Sequence, residues 1–462
     1  MVDDMIDYLA STRDRPVWQK MPDDIRSSFH EPLPQISNNP AEVYEDFRRR
    51  ILPYAVGNTH PRFMGWVHGG GNVIGMLAEL LAAGLNANLG GRDQAPIEVE
   101  RQVIRWVAEM LGFPKDASGV LVTGTSLANL IGVVVARTHA LGSHVRQDGL
   151  QAARLTAYTS RMAHGCIAKA MDVVGLGTEA LRMIPCDASH RIDLPALAAA
   201  VARDRASGAM PFLVVGNAGT VDAGAVDDLA ALAAFCRAQG LWFHVDGAFG
   251  AMAMLAPSLR PLLSGIELAD SVGLDFHKWM QVPYDAGCII VRDAATHLAA
   301  FAAPAHYLGR EARGLAAGSP WPCDLGTDLS RGFRALKVWM TIQVYGTARL
   351  GEVVARSCAL ARELAARVDD EPALERLAPV AMNIVCFRYR AASVNLDRLN
   401  ADIVADLQEM GIAAPSTTVI DGCVAIRAAL FNHRTLPQDI HALVDAVLTR
   451  GRARTEEPGT AS

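Results

Sequence analysis

The chain has 462 residues, a length that suggests two or three domains, and its 51% hydrophobic and 20% charged residues exclude disorder over most of it. A net charge of −6 argues against a nucleic-acid binder and leaves room only for a local pocket for a small anion. The eight cysteines form no C-x-x-C pair and H-E-x-x-H is absent, which argues against a metal site and for reduced thiols in a cytoplasmic protein.

The N-terminus, "MVDDMIDYLASTRDRP", is acidic and lacks the apolar core of a signal peptide. Residues 1–80 read as an arm of helical pieces broken by "EPLPQISNNP". From 81 to 345, apolar runs at 119–124, 154–160, 211–219, 241–248 and 286–291 read as strands, with a short one at "SVGL". Helical patterns lie between several of them, as at 127–141 and at 225–240, the latter opening near an aspartate and stopping at Gly240. Strand and helix repeated this way predict an α/β domain around a mostly parallel sheet, whose ligands gather at the carboxyl ends of its strands. Residues 346–450 read as a smaller α+β domain, and 451–462 as a polar, disordered tail. No apolar stretch reaches the ~18 residues of a membrane span.

Three strand ends carry unusual chemistry. After "GVLV", Thr125 and Ser126 open a helix, where backbone N–H groups and hydroxyls either cap the helix or hold an anion. After "LWFHV" comes Asp246, costly to bury unless something positive pairs with it; Gly247 and Ala248 are expected to leave space beside it for a flat ligand. In "DFHKWM", Lys278 stands either as a snorkelling lysine packed on Trp279 or as a nucleophile whose pKa desolvation has pushed down. Together, an anion-binding helix start, a buried acid and a nucleophilic lysine are the set that holds pyridoxal 5'-phosphate: imine, ring nitrogen and phosphate in turn.

With these residues the sequence resembles the group II pyridoxal-phosphate decarboxylases of fold type I, which act on aromatic amino acids, glutamate or histidine. "HVDGAFGA" is similar to the family's H-V-D-A-A-x-x-G, and "DSVGLDFHKW" to its A-D-S-x-x-x-N-x-H-K-W. "GNAGTVDAGAVDDL", "HPRFMGWV", "APIEVERQVIRWVAEMLGFP" and "FNHRT" fit as well, so the likeness runs over roughly 35–450. It implies a seven-stranded large domain, a small C-terminal domain and an N-terminal arm. It also implies a homodimer with its site at the subunit interface. By position, Lys278 becomes the Schiff-base lysine, Asp246 the partner of the pyridine nitrogen and His164 the residue stacked on the ring. Thr125, Ser126 and His277 are placed at the phosphate, and Thr220 and Ala248 along the cofactor's other side. Trp66 and His68 fall where the family contacts substrate, ordinary core packing being the other reading of Trp66. Arg334 either helps bind an anion or makes a salt bridge on its helix.

Two departures concern the site. Asp275 stands where the family commonly has asparagine, and Gly247 where alanine is common. A third concerns the outcome. The family's mobile loop carries a tyrosine that protonates the substrate's Cα, whereas 311–334 contains none and Tyr307 lies just upstream. The reading is therefore decarboxylation of an L-amino acid, an aromatic one favoured, to its amine. The alternatives are oxidative decarboxylation–deamination to an aldehyde and another lyase reaction through a Cα carbanion.

Overall fold

The computed structural model describes residues 1–302 and 311–456. One compact unit comprises residues 71–358 with 379–382. In chain order it contains α1 (Ala95–Leu111), β1 (Ser118–Val122), α2 (Thr125–Leu141), β2 (Leu155–Ser160), α3 (Cys166–Val173), β3 (Leu181–Ile184) and β4 (Met210–Asn217). There follow α4 (Leu229–Gln239), β5 (Trp242–Asp246), β6 (Ser271–Asp275) and β7 (Gly287–Val291). The local signals are visible in the chain: Asp228 caps α4 through the Ala231 N–H, and Gly240 ends it with φ 63°.

The strands form one seven-stranded sheet in the order β1-β7-β6-β5-β4-β2-β3. β3, β2, β4, β5 and β6 pair in parallel, and β7 runs antiparallel to both β6 and β1. β5, β6 and β7 are buried at every residue, which is why they read as unbroken apolar runs rather than alternating ones. One core cluster joins Val120, Ile131, Val135, Leu213, Val215 and Ile289 between the sheet and α2. The parallel strands, with β1, all end on one edge, and β1, β5 and β6 bring Thr125, Asp246 and Lys278 to it.

The helical run α5 (Arg334–Asp370) is broken at Gly346, whose φ of 70° and ψ of 153° no helix accommodates. The other unit gathers residues 1–70, 359–378 and the chain from 383 onward. Its antiparallel sheet, order β10-β11-β9-β8, is built from β8 (Leu374–Arg376), β9 (Ile384–Tyr389), β10 (Ser416–Ile420) and β11 (Cys423–Ala429), accompanied by α6 (Leu396–Glu409) and α7 (Pro437–Glu456). The first seventy residues are part of this unit rather than a separate arm. Val17 and Phe63 cluster with Ala414, the Met64 N–H donates to the Ala414 carbonyl at 3.0 Å, and the Ala429 N–H to the Met64 carbonyl at 2.7 Å. Residues 451–456 of the expected tail are helical. Gly451 fits under Tyr389, where a Cβ would stand 2.5 Å from the ring, and Arg454 reaches Asp406 at 2.6 Å. Residues 457–462 lie outside the described residues.

Among the described residues no helix is long and apolar enough to cross a membrane, and no three metal-ligating side chains converge.

Candidate active site

The end of β6 sets the site. Asp275 closes the strand with 1% exposure, and the chain then turns so that Lys278 Nζ lies 2.7 Å from Asp275 Oδ2. The other carboxylate oxygen, Oδ1, accepts the Thr125 N–H at 2.7 Å, the first amide of α2. A carboxylate at a helix N-terminus is favoured by the exposed N–H groups there. Asp275 thus joins the lysine to the helix start, and it is the main site residue whose role sequence reading underrated. An acid three residues before the lysine, "DFHK", was the available signal.

This pair reverses one expectation. Burial pulls the Lys278 pKa down, but the Asp275 charge and hydrogen bond, with Asp246 and Cys166 further off, outweigh it and leave it raised above 10.5. The amine rests as an ammonium ion. It does not snorkel, since only 21% of the side chain is exposed.

Asp246, at the end of β5, is 6% exposed. Burial pushes its carboxyl pKa up, against the pull of Lys278, the Ala248 N–H, His164 and the Asn129 amide. Its Oδ1 accepts from Ala248 N at 3.1 Å and its Oδ2 from Asn129 Nδ2 at 3.0 Å. A buried carboxylate with no ion-pair partner in direct contact among the described residues is suited to a cationic ring nitrogen. Gly247 does not leave ligand space, because a Cβ there would stand 2.8 Å from the Ala251 side chain. Its role is close packing of the turn.

His277 is 5% exposed and packs against Tyr284, with ring centroids 4.3 Å apart and the planes tilted by 37°. Its Nδ1 lies 3.0 Å from both the N–H and the carbonyl oxygen of Ala286, and desolvation pushes its pKa down, which favours the neutral ring. Its Nε2 lies 3.7 Å from Asp275 Oδ2. Thr125 is buried, and its hydroxyl Oγ1 has no hydrogen-bond partner among the described residues; Ser126 beside it is exposed. An orphaned hydroxyl at a helix start fits a phosphate oxygen. His164 is exposed just before α3, with Nδ1 accepting the Cys166 N–H at 3.2 Å, which leaves its ring face open. Thr220 is 1% exposed, and its Oγ1 accepts from Ala225 N at 3.0 Å.

Arg334 makes a salt bridge, Nε to Asp285 Oδ1 at 2.7 Å. Trp66 and His68 belong to the unit that contains the C-terminal sheet. Trp66 is 48% exposed, which excludes plain core packing, and Phe63 links the two aromatic rings at 5.9 and 5.6 Å. Tyr307 lies outside the described residues.

With the strand-end geometry in place, comparison with known proteins decides the family. Residues 22–390 match the Pyridoxal-dependent decarboxylase conserved domain. The chain belongs to this family. It is 32% identical to an aromatic-L-amino-acid decarboxylase of Bacillus atrophaeus, over 95% of this chain and 91% of that protein. It is 30% identical to a phenylacetaldehyde synthase of Arabidopsis thaliana (93% and 90% covered) and 32% to an L-2,4-diaminobutyrate decarboxylase of Rhizobium meliloti strain 1021 (90% and 83%). The crystal structure of Oryza sativa TDC with PLP and tryptamine superposes with a TM-score of 0.90 at 25% identity, covering 98% of this chain and 96% of that one. This family member is therefore a fold-type-I, pyridoxal-phosphate-dependent decarboxylase.

Proposed function

We propose that this decarboxylase removes the carboxyl group of an aromatic L-amino acid and releases the amine. The observation that carries the reading is the convergence at one sheet edge of Lys278, the buried acid Asp246 and the orphaned hydroxyl of Thr125 at a helix start. The chemistry supplied by bound pyridoxal phosphate is an electron sink at the substrate's Cα. Lys278 would supply the amine that holds the cofactor's aldehyde carbon, with Asp275 beside it to stabilise the amine's proton. Asp246 holds a proton on the pyridine nitrogen. The helix start, with Thr125 and Ser126, holds the phosphate, and His277 closes the pocket beside it. His164 would cover one face of the cofactor ring, and Thr220 and Ala248 would stand on its other side. The resemblance gives Trp66 and His68 to substrate contact, and their aromatic rings support an aromatic substrate, as does the Bacillus relative. The active form is read as a homodimer with its sites at the interface, and the eight free thiols support a cytoplasmic location.

Two measurements test this. Adding pyridoxal phosphate to the cofactor-free protein is expected to give visible absorbance and raise thermal stability, by about 2.7 kcal/mol at a hundredfold excess over Kd. Incubation with aromatic and diamino L-amino acids, with and without oxygen, is expected to yield amine and carbon dioxide from the aromatic ones in equal amounts under both conditions. Aldehyde, ammonia and peroxide formed only in air would instead support oxidative decarboxylation–deamination. The absence of tyrosine from 311–334 and the Arabidopsis relative favour that second reading.

A further inference from the structure

Behind Asp246 runs a line of buried polar groups to which the reading above gives no role, although His244 and Ser271 stand inside the two family motifs. Asn129 Oδ1 lies 2.9 Å from His244 Nε2, His244 Nδ1 lies 2.8 Å from Ser271 Oγ, and Trp242 Nε1 donates to Ser271 Oγ at 2.9 Å. Asn129, His244 and Ser271 are 0% exposed, so water does not complete their bonding. Gly132 makes room for the line, because a Cβ there would stand 2.8 Å from the imidazole.

The direction of every bond follows from valence. An ionised Asp246 only accepts, so Asn129 turns its amide N–H toward it and its oxygen toward His244. His244 Nε2 must then carry the proton. Burial lowers the His244 pKa to about 3, so the ring is neutral and Nδ1 is a bare acceptor. Ser271 must donate its O–H to Nδ1, and its oxygen receives the indole N–H of Trp242. The second Asn129 amide N–H reaches Cys166 Sγ at 3.3 Å, so every N–H and O–H along the line has a partner and none can be reversed alone.

We propose that Ser271, His244 and Asn129 form a one-way hydrogen-bond relay, anchored by Trp242, that positions Asp246 against the pyridine nitrogen of the cofactor. These are positioning residues: each keeps its own proton, and what passes along the line is orientation. Without the Ser271 O–H, only Asp246 still sets the direction of the line, and Nδ1 is left a buried acceptor without its donor. A ring proton on Nδ1 is then no longer opposed by a donor there, and that tautomer turns the Asn129 amide over and sets its oxygen against the Asp246 carboxylate. A carboxylate so opposed holds the ring proton less well.

The inference rests on Asp246 facing the ring nitrogen, and the experiment separates the two. The full-length protein is loaded with cofactor labelled with nitrogen-15 at the ring. The ring-nitrogen chemical shift is followed from neutral to alkaline pH, and cofactor Kd is measured alongside. Ser271→Ala is expected to lose the ring proton at lower pH than the parent protein and to raise Kd about tenfold, the scale of one hydrogen bond to a charged group. Asn129→Leu, which removes the amide itself, is expected to act in the same direction, and Asp246→Asn more strongly than either. A packing defect alone weakens binding without moving the ring-proton midpoint. If Asp246→Asn moves the midpoint and neither relay variant does, the relay is overturned. If Asp246→Asn leaves the midpoint in place, the reading of Asp246 itself fails.

Discussion

Lys278→Ala is expected to lose at least about a thousandfold in turnover, because the variant lacks the amine that joins the cofactor covalently. The same variant is expected to be less stable than the parent before any cofactor is added. Its Asp275, 1% exposed, keeps the Thr125 N–H but loses the ammonium 2.7 Å away. Orphaning one member of a buried ion pair costs about 3–5 kcal/mol, and the 21% exposure of Lys278 puts this case at the low end. Lys278→Ala with Asp275→Asn is therefore expected to regain much of the stability and none of the activity. Turnover surviving in the single variant would rule out the assigned role. Stability unchanged in it would mean that the pair contributes nothing to folding.

The pair also fixes a pH dependence. The Lys278 pKa is raised in the folded protein, so the contribution to stability is complete below pH 10.5 and fades as pH climbs through the raised value. Capture of the cofactor needs the amine without its extra proton and runs the other way, faster as pH rises. In Asp275→Asn, desolvation is left with less opposition and the amine loses its proton more readily. That variant is expected to capture cofactor faster at neutral pH, which stopped-flow absorbance reads directly.

The α/β alternation was legible because buried parallel strands need continuous apolar runs and helices need caps, both written locally in the chain. Lys278, Asp246 and Thr125 were legible because each follows such a run, and a strand end is where a sheet exposes ligand-binding groups. Asp275 was visible as a departure, but its partner was not. Whether a carboxylate raises a neighbouring lysine's pKa enough to outweigh burial turns on a distance of a few ångströms, which spacing along the chain does not give. Asn129, His244 and Ser271 were illegible for a related reason. They come from one helix and two strands, and each alone reads as a buried polar residue. The grouping of the first seventy residues with the C-terminal sheet depends on pairing across about 350 positions, as between Met64 and Ala414, and no local pattern encodes that.

The largest effect on folding is expected at a residue that carries no chemistry. Arg331 is 5% exposed and binds both oxygens of Glu100, itself 3% exposed, at 2.6 and 3.1 Å. Its other two Nη donors go to the carbonyls of Leu89, at 2.9 Å, and Leu121, at 2.6 Å. Glu100 Oε1 in turn accepts the Leu121 N–H at 3.0 Å. The pair thus grips Leu121 by both its backbone groups, four residues before Thr125 and the helix start assigned to the phosphate. Arg331→Met leaves a buried carboxylate without its cation and two carbonyls without donors, and is expected to destabilise the protein by about 3–5 kcal/mol. Cofactor affinity should fall with it, since the end of β1 is no longer held in register with α1. Glu100→Gln in the same chain removes the orphaned charge and still accepts from Leu121. The double variant is therefore expected to recover a large part of the stability in denaturant unfolding. If the double variant is no more stable than Arg331→Met alone, the loss comes from the carbonyls of Leu89 and Leu121 rather than from the charge. In that case Arg331 acts on the phosphate loop by holding backbone, and its effect on cofactor Kd persists whatever stands at position 100.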